Sequence, residues 1–232
     1  SRETEPIPSP EKTPGRPPMT RLNTAIPLTP EGFQELCGVS DDDLGRLRAY
    51  VALLKKWQAS TNLVSNDSMT DVWRRHVLDS AQLAPLLGAE TKTIADIGTG
   101  AGFPGMVLAI IGTAEEVHLI ESNERKCAFL REVNRATEAG VIIHNNRVEN
   151  LQGILVDRVV SRAVASLEKL LQYANPVLKK GGQCLLLKGK KWREELTEAQ
   201  KNWIINESTV QSLSDPSGMI LKLKEIRSRD DS

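Results

Sequence analysis

A short glycine-rich segment constrains the fold of this chain more than any other feature. It is Asp96-Ile-Gly98-Thr-Gly100-Ala-Gly102, which follows an apolar run over Thr93–Ile97 and precedes a helical pattern that begins near residue 104. Glycine lacks a Cβ, so a backbone with alternating glycines can turn sharply and let a ligand approach closely. In open α/β sheets, ligands bind at the carboxyl ends of the strands. The segment therefore predicts a strand-to-helix turn of a parallel sheet, with a ligand at that turn.

The pattern after Gly88 alternates between short apolar runs and helical segments, which predicts an α/β fold with a mostly parallel sheet and right-handed crossovers. The buried strands are predicted over Thr93–Ile97, Val117–Glu121, Val141–His144, Arg158–Ser161 and Gln183–Leu187, and the helices over residues 104–111, 124–138 and 166–178. Two further alternating runs, Trp203–Ser212 and Met219–Ile226, are separated by the turn formers Ser214-Asp-Pro-Ser-Gly218. They predict a terminal antiparallel hairpin, which completes a seven-stranded sheet.

Two segments precede this sheet. Residues 1–28 are expected to form a tail, because residues 1–30 hold eight of the twelve prolines and almost no large apolar residues. Such a segment cannot bury enough surface to offset its ordering entropy. Residues 29–88 predict a small helical cap, whose second helix runs from about Met69 to Leu87. The first helix follows the N-cap Ser40 and has one apolar face, formed by Leu44, Leu47, Val51, Leu54 and Trp57.

The spacing of the glycines indicates which ligand the turn binds. A dinucleotide site would show GxGxxG opening onto a helix N-terminus that holds a pyrophosphate, whereas this chain has GxGxG after an acidic residue. S-adenosylmethionine has no phosphate and carries a sulfonium, so a nearby carboxylate is favourable. Glu121 ends the second predicted strand, where a carboxylate can accept hydrogen bonds from ribose hydroxyls. The terminal hairpin is also typical of methyltransferases. Residues 89–232 therefore predict a Rossmann-like class I methyltransferase domain, with cofactor contacts at Asp96, Gly98, Gly100, Gly102 and Glu121.

Two further segments belong to the same edge of the sheet by topology. Residues 147–150 follow the third predicted strand, where the adenine ring should lie. Ser161-Arg162-Ala163 ends the fourth predicted strand, beside the point of methyl transfer. A buried arginine there could orient the cofactor or hold a nucleic-acid phosphate, but it could equally cap the strand end through backbone hydrogen bonds.

Charge and cysteine content exclude several classes of protein. Thirty basic residues balance thirty acidic ones, so no overall positive field indicates a nucleic-acid partner, although a local basic patch could still bind one. The three cysteines are far apart and form no CxxC or Cys/His cluster, which disfavours a zinc site and a disulfide framework. The longest apolar stretch, Met106–Ile111, is far too short to span a membrane. We expect a cytoplasmic, monomeric protein with no metal and no membrane partner.

The acceptor atom can be narrowed by the chemistries that the sequence lacks. Methylation of pyrimidine carbon 5 needs a nucleophilic cysteine, but Cys184 lies in an apolar strand, Cys127 lies within a helix and Cys37 lies in the cap. Methylation of an exocyclic amine commonly uses an Asn/Asp-Pro-Pro-aromatic loop, and Ser161-Arg162-Ala163 does not match it. What remains is a nucleophile that needs no proton removed, such as guanine N7. Catalysis would then depend on positioning and electrostatics.

Two basic clusters are candidates for contacts with the acceptor. Arg74-Arg75-His76 lies in the cap, and Lys188-Gly-Lys190-Lys191-Trp192-Arg193 follows the fifth predicted strand. Basic side chains beside an aromatic ring suit phosphate contact and base stacking. Either cluster could instead be a solvated helix face, and His76 could be a hydrogen-bonded structural histidine.

Six short blocks occur in a fixed order between about residues 30 and 225. They are Asn62-Leu-Val-Ser, Arg75-His76-Val-Leu-Asp79-Ser80, Asp96-Ile-Gly-Thr-Gly-Ala-Gly-Phe-Pro-Gly105, Glu121-Ser-Asn-Glu-Arg-Lys-Cys-Ala-Phe-Leu130, Ser161-Arg162-Ala163 and Lys188-Gly189-Lys190. Together they resemble the bacterial small-subunit rRNA methyltransferase G family, also called glucose-inhibited division protein B. The Gly-Phe-Pro-Gly extension and the Arg-His…Asp-Ser block are much more specific than the glycine spacing alone. Residues 1–18 have no counterpart in this pattern.

The resemblance implies methylation of a guanine at N7 in 16S rRNA near the decoding centre, with S-adenosylmethionine as donor and S-adenosylhomocysteine as product. The implied partner is 16S rRNA or the small ribosomal subunit, including an assembly intermediate. The resemblance implies cofactor contacts at Gly98, Phe103, Val148, Glu149 and Arg162, with Glu121 on the ribose. The candidate catalytic residues are Arg162, His76 and Lys188. The candidate RNA-binding residues are Arg74, Arg75, Lys188, Lys190, Lys191 and Arg193.

Two other functions compete with this interpretation. A methyltransferase of the same fold that acts on a small molecule or a protein would need a helical lid around a modest pocket. An RNA-binding or assembly factor could keep the fold without binding the cofactor. The intact set of Asp96, the three glycines and Glu121 argues against this last alternative.

Overall fold

The structure is a computed structural model that describes residues 25–162 and 165–231. The expected proline-rich tail lies almost entirely outside the described residues, as do Ala163 and Val164. Seven strands form one sheet in the order β3-β2-β1-β4-β5-β7-β6. The strands are β1 Thr93–Ile97, β2 Glu116–Glu121, β3 Ile142–Asn145, β4 Val156–Arg162, β5 Leu178–Lys188, β6 Trp203–Gln211 and β7 Met219–Ser228. The predicted seven-stranded α/β fold is confirmed.

The strand order creates a crevice at the carboxyl end of the sheet. Strands β1 to β5 are parallel, whereas β7 pairs antiparallel with both β5 and β6, as the hairpin pattern predicts. Strand β1 lies between β2 and β4, so the chain leaves β1 toward β2 and later returns to the other side at β4. Such a reversal of strand order is where open α/β sheets bind their ligands. The glycine segment directly follows β1 and therefore borders this crevice.

Nine α-helices occur in the described ranges, and they agree with the predicted pattern in most places. They are α1 Pro30–Cys37, α2 Asp41–Gln58, α3 Asn66–Met69, α4 Asp79–Ala81, α5 Ala84–Leu87, α6 Gly105–Ile110, α7 Glu124–Thr137, α8 Leu167–Ala174 and α9 Trp192–Ala199. The predicted N-cap is confirmed, since the Ser40 side chain accepts a hydrogen bond from the Asp43 amide at 3.1 Å. Among the described residues, no helix is both long and apolar enough to cross a membrane.

Two helix predictions were wrong. The single helix expected over Met69–Leu87 is instead divided into the end of α3, a π-helical turn at Trp73–Leu78, and the short helices α4 and α5. Pro85 contributes to the last break, because proline lacks an amide hydrogen and fits only the first turn of a helix. Helix α9 was given no predicted bounds, because its first residues belong to a basic segment that was interpreted as an RNA contact or a solvated helix face.

The cap packs against helices α6 and α7, which cover one face of the sheet. Helix α2 lies against α7, where the Trp57 indole donates to Glu132 at 2.8 Å and lies edge-on to Phe129. One apolar cluster contains cap residues such as Tyr50 together with residues of α6 and α7, while α8 and α9 cover the opposite face. The cap is thus held in a fixed position above the crevice.

Candidate active site

The three glycines of the turn have different surroundings. All three adopt positive φ angles, at 68° for Gly98, 59° for Gly100 and 100° for Gly102, where a side chain is strained. A Cβ at Gly100 would meet nothing within 4 Å, so this position borders open space. A Cβ at Gly102 would lie 2.5 Å from the Tyr50 hydroxyl and 2.9 Å from Met106 Cβ. Gly102, predicted as a cofactor contact, therefore provides close packing against the cap rather than room for a ligand.

Asp96 anchors the turn from below. It is fully buried, and its Oδ2 accepts hydrogen bonds from Thr99 Oγ1 at 2.6 Å and from the Gly105 amide at 2.7 Å. Burial raises the pKa of Asp96 to about 6, against the lowering effect of these two hydrogen bonds. Within the described residues, Oδ1 is buried and has no hydrogen-bond partner. A buried acceptor without a donor is costly, so this atom fits a ligand that brings a donor or a positive charge.

Glu121 joins the turn to the end of β2. Its Oε2 accepts from the Gly100 amide at 3.0 Å, and its Oε1 accepts from the Asn123 amide at 2.8 Å. Each carboxylate oxygen has two lone pairs, so both can still accept one further hydrogen bond. A carboxylate fixed in this way is ready to bind a pair of neighbouring hydroxyls, as the sequence predicts.

The third predicted contact region lies beside Glu121. Val148 and Glu149 belong to a 3-10 turn, Val148–Asn150, that follows β3 at the same edge of the sheet. Glu149 is exposed and accepts a hydrogen bond from the Tyr173 hydroxyl at 2.8 Å. The turn therefore borders the crevice next to the two sites described above.

Phe103 lies at the centre of a stack of rings. Its ring is only 2% exposed, lies 5.1 Å from the Tyr50 ring and 4.8 Å from the His76 ring, and is covered by the Arg162 guanidinium at 5.2 Å. A cation over an aromatic face is attracted by the ring quadrupole. Phe103, predicted as a cofactor contact, thus supports Arg162 and the cap through its side chain.

Three partners fix the Arg162 guanidinium at the end of β4. Nη2 donates to His76 Nδ1 at 2.9 Å, while Nη1 donates to the Arg75 carbonyl at 3.1 Å and to Asp79 Oδ2 at 3.3 Å. The guanidinium is charged at all relevant pH values. Its side chain remains 22% exposed, so this immobilised cation is still accessible.

The His76 imidazole is neutral, and both of its ring nitrogens are engaged in hydrogen bonds. Because Nδ1 accepts from Arg162, Nε2 carries the hydrogen and donates to Ser68 Oγ at 2.7 Å. Burial, followed by the positive charges of Arg162 and Arg75, lowers the pKa of His76 to about 3. A neutral imidazole with both nitrogens engaged cannot act as a general acid or base near neutral pH. His76 was predicted as catalytic, but its contacts are those of a positioning residue for Arg162.

Two predicted RNA contacts are buried in ion pairs. The Lys188 side chain is 3% exposed, and its Nζ bonds to Glu195 Oε2 at 2.6 Å and to the Ala165 carbonyl at 3.0 Å. The Arg74 side chain is 5% exposed and pairs with Asp71 at 2.7 Å. Neither is free to neutralise a phosphate, so both expectations are corrected. For Lys188 the reason is α9, which carries Glu195 and was given no predicted bounds.

The other basic candidates are on the surface. Arg75 is half-exposed and pairs with exposed Asp67 at 2.7 Å. Lys190, Lys191 and Arg193 are exposed, and the Arg193 guanidinium lies 4.4 Å from the centre of the Trp192 ring. These four side chains keep the accessibility that contact with a nucleic acid requires.

A cleft of about 820 Å³ opens beside Arg162, between the cap, the ends of β4 and β5, and the loop between β6 and β7. Sequence analysis singled out many of these residues, in the Asn62-Leu-Val-Ser, Arg75-His76 and Lys188-Gly189 blocks and in the Ser214–Gly218 turn. It did not predict that they come together to line one cleft. The cleft has the size of a small-molecule site, and it shares only Arg162 with the predicted cofactor contacts.

Comparisons with known proteins agree with this architecture. The family model described as rRNA small subunit methyltransferase G matches residues 43–222. The ribosomal RNA small subunit methyltransferase G of Paramagnetospirillum magneticum is 50% identical over 199 residues, covering 86% of this chain and 97% of that protein. The enzyme of the same name from Rhodospirillum centenum is 47% identical, covering 89% and 97%. A crystal structure of a SAM-dependent methyltransferase from Aquifex aeolicus shares the fold, with a TM-score of 0.53 at 17% identity over 68% of this chain and 95% of that one.

Proposed function

Because this chain belongs to the rRNA small subunit methyltransferase G family, we propose that it transfers a methyl group from S-adenosylmethionine to N7 of a guanine in 16S rRNA. The observation that carries the proposal is the pairing of the glycine turn with two carboxylates. Gly100 borders open space and donates its amide to Glu121, while Asp96 holds a buried oxygen that has no donor within the described residues. This donor set fits a ligand with a cationic amino-acid end and a ribose.

Different residues at the carboxyl edge of the sheet would bind different parts of the cofactor. Asp96 and Gly98 would hold the amino-acid end, and the Glu121 carboxylate would accept the ribose hydroxyls. The turn that carries Val148 and Glu149 would border the adenine. S-adenosylmethionine, when bound, supplies a methyl group activated by its sulfonium. The protein side of this arrangement consists of backbone amides and two carboxylates. The Arg162 guanidinium borders it, and Asp79 partly offsets that positive charge.

The chemistry of guanine N7 agrees with the side chains beside Arg162. The N7 lone pair is free, so no base is needed to remove a proton before attack. His76 is neutral with both nitrogens engaged, and burial raises the pKa of Cys184 to about 12 and that of Cys127 to about 11. The His76 imidazole therefore does not offer a general base, and these two thiols do not offer a thiolate nucleophile. Catalysis would rest on orientation of the two reactants, with Arg162 as the fixed polar contact.

Four exposed basic side chains are the proposed RNA contacts. Arg75 lies on the cap, and Lys190, Lys191 and Arg193 follow β5. Lysine and arginine neutralise backbone phosphates, and the neighbouring Trp192 offers a ring for stacking. We further propose a monomeric, cytoplasmic enzyme that acts on 16S rRNA within the small subunit or an assembly intermediate.

Methyl transfer to purified small ribosomal subunits tests this function. Subunits from a strain that lacks the gene are incubated with the protein and S-adenosylmethionine labelled in its methyl group, and label is measured in 16S rRNA. The Gly98→Asp variant should give no label, because φ is 68° there and a carboxylate would crowd the cofactor turn. Gly140→Asp is the matched control, since Gly140 has a φ of 69° and open space but lies at the opposite end of the sheet. Label in protein or in small molecules instead of rRNA would refute the proposal.

A further inference from the structure

The cleft beside Arg162 is built from three separate parts of the chain. The cap contributes Leu63–Ser65 and the π-helical turn, the sheet contributes Arg162 and Leu187–Gly189, and the β6–β7 loop contributes Ser212–Met219 in part. Arg162 is the boundary, because its guanidinium lines the cleft and also covers Phe103 of the glycine turn. A ligand in the cleft would therefore lie next to the cofactor crevice without overlapping it.

The three cations in the interior of the cleft are already paired with carboxylates, and the exposed Asp215 adds an acidic group on the hairpin-loop wall. Arg162 bonds to Asp79 at 3.3 Å, Arg74 bonds to Asp71 at 2.7 Å, and Lys188 bonds to Glu195 at 2.6 Å. An anionic ligand such as a phosphate needs cations that are free to bind it. The cleft interior therefore favours a ligand without charge. Arg75 at the rim is more accessible than Arg162, and its pair with exposed Asp67 is weak because water screens it.

The uncharged residues that line the cleft suit a flat ring with polar groups along its edge. Leu63, Val64, Leu187 and Met219 offer apolar contacts, while hydroxyl and backbone groups stand between them. A nucleobase has apolar faces and an edge of donors and acceptors, and enzymes that modify bases commonly take them out of the helical stack into such a site. Phosphates of the same strand would remain outside, near Arg75.

The wall formed by the hairpin loop is held in place before any ligand binds. Ser214 Oγ donates to Asp79 Oδ1 at 2.5 Å, and the Leu213 amide donates to Gln82 Oε1 at 2.7 Å. Asp79 uses its other oxygen to bind Arg162, so a single buried carboxylate joins the loop, the cap and β4. A site assembled in advance loses less entropy when it binds.

We infer that this cleft receives the target guanine, turned out of the rRNA, and presents its N7 past Arg162 to the methyl donor. The inference rests on the proposed function. It adds that the acceptor base binds in the cleft beside Arg162, and that this cleft suits an uncharged ligand. It separates the two substrates into two neighbouring sites that share one residue. Filling the cleft should therefore block the RNA and spare the cofactor.

Gly189→Phe tests this separation. A Cβ at Gly189 meets nothing within 4 Å, so a phenyl ring can extend into the cleft that Gly189 lines. We expect kcat/KM for small ribosomal subunits to fall about 100-fold, because a misplaced acceptor loses its alignment, while the Kd for S-adenosylmethionine stays within about threefold. Gly45→Phe is the matched control, since Gly45 also has open space but lies on the exposed face of α2. It should keep the activity of the wild type.

A second variant fills the cleft from the opposite wall. Thr70→Trp adds an indole to the cleft from the cap side. If Gly189→Phe fails to fold, this variant tests whether filling the cleft blocks the RNA substrate. Two folded variants with wild-type activity would overturn the inference, and so would a folded variant whose cofactor affinity falls in parallel with its activity. A wild-type protein that leaves 16S rRNA unlabelled would instead refute the proposed function itself.

Discussion

The glycine turn and the cleft are neighbours, but they are built in opposite ways. Most bonds that hold the turn join residues close in sequence or on adjacent strands, such as those from Thr99 and Gly105 to Asp96. One long-range bond, from the Tyr50 hydroxyl to the Ala101 carbonyl, joins the turn to the cap. The cleft is held by side-chain bonds that join residues more than 80 positions apart, such as Asp79 to Arg162 and Ser214. The cofactor side is thus mainly a local backbone structure, whereas the acceptor side depends on long-range ion pairs. Substitutions on the two sides should therefore change different measured quantities.

Arg162→Ala should have the largest effect among substitutions that only shorten or neutralise a side chain, because it removes the residue that both sites share. We expect methyl transfer to fall roughly 100- to 1,000-fold, as for loss of one preorganised polar contact, with a much smaller change in the free energy of unfolding. Single-turnover rates and denaturant unfolding measure the two quantities. Arg227→Ala, an exposed arginine on β7, is the control and should change neither. Equal losses of activity and stability would make Arg162 a structural strand-end arginine.

Lys188→Met tests whether the acceptor side depends on buried pairs. The substitution removes a charged hydrogen bond made by buried Lys188, while its partner Glu195 is 28% exposed and can be solvated, so the free energy of unfolding should fall by about 2 kcal/mol. The exposed neighbour Lys190→Met should stay within about 0.5 kcal/mol. Urea unfolding measures both. If Lys188→Met kept full stability but lowered the affinity for small subunits, the original expectation of an RNA contact would be right.

Glu121→Ala should affect the cofactor side alone. It removes two hydrogen bonds to backbone amides and the proposed ribose contact, so the Kd for S-adenosylmethionine should rise about 30-fold, or about 2 kcal/mol. Asp79→Asn is the counterpart on the acceptor side and should lower kcat while that Kd stays near its original value. Calorimetric titration with the cofactor separates the two. A similar Kd change in both variants would mean that the two sites are not independent.

Acid should weaken cofactor binding through Asp96. Its pKa is raised from 3.8 to about 6 by burial, so the native state holds this proton more tightly than the unfolded chain does. The stability that this proton contributes is lost as the pH rises from 3.8 to about 6. The carboxylate that would face a cationic ligand is therefore lost as the pH falls through 6. Between pH 7.5 and pH 5 the Kd for S-adenosylmethionine should rise about tenfold in the wild type. In Asp96→Asn this part of the pH dependence should be absent.

The same contrast explains what the sequence could predict. Strand β1, the glycine turn and Glu121 follow from patterns within about 30 residues, and so does the terminal hairpin. The burial of Arg74 and Lys188 could not be predicted. Lys188 pairs with Glu195, which lies on α9, a helix whose basic start concealed it. Arg74 pairs with Asp71 at the point where the predicted cap helix is divided. A basic side chain looks the same in sequence whether it binds RNA or a buried carboxylate. The cleft was missed for a related reason, since its walls come together only in the folded chain.

The most direct test of the account is to map N7-methylguanine in 16S rRNA. Ribosomal RNA from a strain that lacks this gene is compared with the same RNA after its small subunits have been incubated with the purified protein and S-adenosylmethionine. N7-methylguanine can be located to a single nucleotide, because reduction labilises the modified ring and the strand is then cleaved there. The account predicts that one guanine of 16S rRNA lacks the modification in the deletion strain and gains it with the protein. An unchanged rRNA, with the methyl group found on another molecule, would contradict it.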